Sequence, residues 1–144
     1  MASVSPASPL APGELRRAAG EIFDRAERER DDGNLEEAAR LFGRAAGTWR
    51  ASGEVMAAAD AYIELGTVLL RQGRGGILPE LAARLLALLE GTPPPEGARL
   101  NLRVFAALMT HGAANRDAFL GLVQERRLGR HRAAVRTERR ASPG

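Results

Sequence analysis

Gly33-Asn34-Leu35-Glu36-Glu37-Ala38-Ala39-Arg40-Leu41-Phe42-Gly43-Arg44-Ala45-Ala46 is the stretch from which the rest of the chain can be read. Its apolar residues, continued by Trp49, fall three and four apart, which lines one face of an amphipathic helix. Gly33 supplies the left-handed residue that ends a preceding helix, and Asn34 stands as N-cap with Glu37 three residues on, a capping box. Glu36 and Glu37 set negative charge on the positive end of the new helix dipole. So short a link between two helices makes them antiparallel.

Upstream, Leu15, Ala18, Ala19, Ile22, Phe23 and Ala26 form the stripe of a first helix with a charged outer face. Downstream, Ala38-Ala39-Arg40-Leu41 returns as Ala82-Ala83-Arg84-Leu85, a period of 44 from position 38 to 82. Such a period marks a supersecondary unit that cannot bury its apolar face alone and stacks on copies of itself. The pattern predicts a third helix over about 54–72, a fourth over 78–90 and a fifth over 96–111, after the stiff spacer Thr92-Pro93-Pro94-Pro95. A sixth, capped by Asn115, reaches at least Leu128. The fourth, apolar around most of its girth, is expected to be the most buried. The fold class read from this is all-α: six helices in three antiparallel hairpins, with a disordered leader at 1–13, a helical domain at 14–128 and an Arg-rich tail at 129–144.

Composition narrows the chemistry. Of 144 residues none is Cys, which removes disulfides, thiolate nucleophiles and sulfur-ligated zinc. All 21 basic residues are Arg, a bias that suits a GC-rich bacterial genome. No stretch has the length and apolarity of a membrane helix and no secretory leader is recognisable, so a cytoplasmic protein without membrane contact is expected. Charge is unevenly spread: residues 1–125 carry 14 Arg against 17 acids, and 126–144 carry seven Arg against Glu138.

The run Gly33-Asn34-Leu35-Glu36-Glu37-Ala38, followed by Phe42 and Ala45, resembles the second half of a tetratricopeptide repeat, and Tyr62, Leu65, Gly66, Leu69 and Gly73 resemble its first half and turn. Ile22 and Arg25 depart from the family's pattern, and residues 96–128 match it in periodicity alone. The resemblance implies a short right-handed superhelix of hairpins whose concave face takes a peptide or helix of a partner protein. It places the groove on Phe23, Glu27 and Arg30, on Asp60, Ile63, Thr67 and Arg71, and on Arg99, Leu102 and Met109. The family's carboxylate clamp is not implied, since Phe23 and Glu27 stand where it needs other residues.

Catalysis is not expected. His111 sits at a helix end, His131 lies in the basic tail, and no Walker loop, dinucleotide fingerprint or nucleophile elbow occurs; neither a cofactor nor a metal is called for. Asp60 and Glu64 share a helix face and are expected to be solvated. Arg126, Arg127, Arg130, Arg132, Arg136, Arg139 and Arg140 carry an alternative reading, contact with nucleic acid through a tail that neutralises phosphates. A further alternative is a homo-oligomer formed through the apolar fourth helix or an uncapped end of the stack.

Overall fold

A computed structural model describes residues 10–91 and 93–141, without the side chains of 134 and 137–141. Six helices follow one another, α1 (Pro12–Asp31), α2 (Leu35–Ala51), α3 (Val55–Arg71), α4 (Leu78–Gly91), α5 (Glu96–Thr110) and α6 (Arg116–Ala141). Two 3₁₀ turns, Gly75–Ile77 and Gly112–Asn115, precede α4 and α6. No strand occurs among the described residues. The leader lies outside the described residues up to position 9, and α1 begins with Pro12 in its first turn, where a missing N–H costs nothing.

One turn is used three times. After α1, Asn34 N–H bonds Glu29 O while Gly33 N–H bonds Arg30 O. After α2, Glu54 reaches Trp49 and Gly53 reaches Arg50; after α3, Arg74 reaches Leu69 and Gly73 reaches Leu70. This is the pair of bonds by which a left-handed residue closes a helix, and Gly33, Gly53 and Gly73 all have positive φ. The chain is thereby folded back at each, so that α1 packs on α2 and α2 on α3. Asn34 does precede α2, but the capping box is not made: its side-chain amide donates to Glu29 Oε2 at 2.7 Å, and Glu37 pairs with Arg40. The left-handed turn has already brought the acceptor Glu29 alongside.

Small residues set the spacing of these helices. Ala19 and Ala26 on α1, Ala38, Ala45 and Ala46 on α2, and Ala58, Ala59 and Ala61 on α3 are buried, with Phe42 and Leu41 filling between them. Phe23 stacks edge-on against Phe42 and tilts against Trp49, with ring centroids 5.3 and 5.2 Å apart. On the far side of α3 a second mass of side chains collects Leu78, Leu81, Leu85 and Leu89 of α4, Leu102, Phe105 and Met109 of α5, and Phe119 and Val123 of α6.

The most buried helix is therefore α3 and not α4. Neighbours surround α3 and bury most of its residues, whereas α4 turns Ala83, Arg84 and Leu86 outward. Its Leu residues pack mainly on α5 and to a lesser extent on α3, and neighbours on these sides leave the rest of its girth uncovered. Leu100 and Val104 of the α5 stripe are exposed as well. At the centre, Gly66 allows the close approach: a Cβ there would lie 3.1 Å from both Leu78 Cδ2 and Phe119 Cζ.

The largest departure from expectation is α6. It reaches Leu128 as expected but continues through the stretch read as a tail, with Gly129 an interior helix residue and the backbone helical through Ala141. A single Gly costs a helix only about 1 kcal/mol, which does not by itself end one.

Candidate recognition groove

Three helices make the site. Along α3, Asp60, Glu64 and Thr67 follow at helical spacing, and α1 lies beside them with Phe23, Glu27 and Arg30 facing the same channel. The sixth helix lies in that channel, antiparallel to α3. At its start, Arg116 Nη1 donates to Leu70 O at the end of α3 at 3.4 Å, and Phe119 closes on Gly66. Two turns later Arg126 donates to Asp60 and, at 3.0 Å, to Asn101 Oδ1 of α5.

The centre of the site is Glu64, whose side chain is 1% exposed. Arg127 grips it with two bonds, Nε to Oε1 at 2.9 Å and Nη2 to Oε2 at 2.7 Å. Arg30 of α1 donates to the same Oε2, and Arg130 stands 3.5 Å from Oε1 and 3.5 Å from Asp60 Oδ1. Taking a carboxylate out of water costs several kcal/mol, and only charge-assisted, geometrically matched donors offset that. The bidentate bond with Glu64 holds the Arg127 guanidinium above its ordinary pKa. The pKa of Glu27 is also raised, but here the charged form is disfavoured: partial burial, more than any neighbouring charge, lifts it.

Three of the cations that reach α3 also lie over a ring: Arg30 over Phe42 at 5.7 Å, Arg126 over Phe105 at 5.8 Å, and Arg130 over Phe23 at 6.0 Å. The planar, weakly hydrated guanidinium suits this double role of pairing edge-on while stacking face-on. Beyond Arg130 the channel widens into a cleft of about 440 Å³ walled by Phe23, Trp49, Ala57 and His131.

The groove expected to be open is thus occupied. Ile63, Thr67, Leu102 and Met109 are buried in the core. Arg30 and Asp60 are ion-paired, Phe23 and Glu27 are half-buried beside α6, Arg99 is half-buried on α5, and Arg71 is exposed away from it. Solvation was expected for Asp60 and Glu64, yet both are the anchors of the channel. Three of the seven tail arginines, Arg126, Arg127 and Arg130, fold inward onto them, while Arg132 and Arg136 are exposed and the side chains of Arg139 and Arg140 lie outside the described residues. Two sets of residues assigned to different functions are one structure.

A signal for this existed. Phe119, Val123, Arg126 and Arg130 are spaced four, three and four apart, so the arginines continue the apolar stripe of α6 on the same face. A search for hydrophobic periodicity stops at Val123, because it does not count guanidinium as a packing group.

Among the described residues, no cluster of His, Asp and Glu is arranged to hold a metal, and no helix is long and apolar enough to cross a membrane. No family model, curated protein or solved structure matches the chain.

Proposed function

We propose that the chain is a non-catalytic protein-interaction module of tetratricopeptide-like design, whose α1–α3 channel recognises a helix bearing arginine. What supports the reading is the way α6 lies in that channel, apolar residues first and guanidiniums after, meeting carboxylates on α3 and rings on α1 and α5. The residues Gly33, Leu35, Ala38, Phe42 and Ala45, and then Tyr62, Gly66 and Gly73, support the repeat reading by sequence pattern. The nucleic-acid alternative loses support, since the inward-facing arginines are already neutralised by Asp60 and Glu64.

The experiment is a titration of a fluorescent peptide of residues 116–136 into the full chain carrying Arg126→Ala and Arg130→Ala, which loosens its own α6. Binding is expected at micromolar concentration and is expected to fall at least tenfold when Asp60→Asn is added. Absence of binding at millimolar peptide overturns the reading.

A further inference from the structure

Five residues, His111 to Asn115, separate α5 from α6. From Glu96 to Ala141 the chain contains no proline, and the link His111-Gly112-Ala113-Ala114-Asn115 already forms a 3₁₀ turn with two alanines, the best helix formers. Within this link the chain turns at His111 and Gly112, and Gly112 is its left-handed residue, at φ +62°. Were Gly112 to adopt ordinary helical angles, with His111 and the 3₁₀ turn following, α5 and α6 would join into a single rod. The turn is held closed by a neighbour: a Cβ on Gly112 would lie 3.3 Å from Gly75 O, and one on Gly75 would lie 3.2 Å from Ala113 Cβ.

The channel that α6 would leave cannot stay empty. Glu64 would remain at the floor with Arg30 alone, and the apolar surface around Gly66, Leu78 and Met109 would lose Phe119. The occupant that fits both features, by demonstration in this fold, is the sequence of α6, and every copy of the chain carries it. Exchange of an identical element preserves all the contacts just described and adds only the cost of association and the change at the hinge.

We propose that α6 is an exchangeable helix: it swings out about Gly112 and docks in the α1–α3 channel of a second copy of this chain, which docks its own α6 in return. The proposal rests on the channel-and-helix reading above and names the partner. The single glycine sets the balance, because at low concentration the tethered α6 wins and at high concentration exchange does.

The chain has no cysteine, so single thiols can be placed at will. Ala57→Cys and His131→Cys wall the same cleft without touching the ion pairs. Differently tagged copies, one carrying each substitution, are mixed at high concentration, incubated and treated with a short bis-maleimide. Cross-linking between copies, several-fold above that of an Ala57→Cys and Arg40→Cys pair, is expected, and Gly112→Ala is expected to raise it several-fold further. Light scattering should show the matching dimer. The double variant Ala57→Cys/His131→Cys in one chain separates the outcomes. Cross-links only within that chain, with mixed copies at the control level and Gly112→Ala monomeric, overturn exchange while leaving the channel reading intact. No cross-link in either arrangement overturns both.

Discussion

The α1–α2–α3 layer and the α6 contact are held together by different physics. In the first, two like glycine turns, at Gly33 and Gly53, bring neighbours in sequence into contact through alanine and phenylalanine, and the rings of Phe42 and Trp49 pack against Phe23. In the second, a helix distant in sequence is bound to α3 partly by Phe119 and Val123 and partly by guanidiniums on two carboxylates. Apolar packing is non-directional and tolerates small shifts. Charged bonds with fixed fork geometry do not, so α6 has one register on α3 and is costly to leave half-paired. The first region is a scaffold, and the second behaves as an interface within one chain.

The sharpest way to separate them is to remove the anchor. Glu64→Ala leaves Arg30, Arg127 and Arg130 facing one another around a void and should lower stability by about 3 kcal/mol, as breaking one side of a buried pair does; urea denaturation measures it. If the loss is below about 1 kcal/mol, the charged contact is no stronger than a surface pair. Next in size is a contrast of two glycines. Gly66→Leu, where Phe119 and Leu78 leave no room, should cost about 1 to 3 kcal/mol by overpacking. Gly43→Ala, whose Cβ would rest 3.8 Å from Leu65, should instead stabilise by up to about 1 kcal/mol by removing backbone freedom. Equal effects would erase the distinction between the tight centre and the tolerant layer.

The smallest effect concerns Glu27. Its pKa is raised in the folded state, so the native protein holds more protons than the unfolded chain between the two values, and stability falls as pH rises through that interval. Glu27→Gln removes the penalty. The variant should melt up to about 2 °C higher at pH 7 and no higher at pH 3, where the carboxyl is protonated in both states. A lower melting temperature at pH 7 would mean that its attraction to Arg30 outweighs the burial.

Much of this fold was legible because its signals are local. Gly33 and Gly73 mark turns by their position after amphipathic stripes, Pro95 stands directly before α5, and Asn34 and Asn115 stand directly before α2 and α6. The errors have a common cause. Glu64 looks like one of two solvated carboxylates on a helix face, Arg127 like an exposed residue in a charged run, and Gly129 like a helix end, since a solvated face and a buried ion pair have the same sequence pattern. The fourth helix, apolar around most of its girth, still leaves Leu86 exposed, because composition does not tell which sides of a helix its neighbours will cover.

What the chain by itself determined is the helices, their order and the folding back of α1 on α2 and of α2 on α3, because periodicity and left-handed glycines act over a few residues. What only the tertiary structure decided is where α6 goes. The carboxylates on α3 that bind Arg126 and Arg127 lie more than sixty positions away, and a carboxylate changes from a solvated group to an anchor only when a packed surface takes its water away.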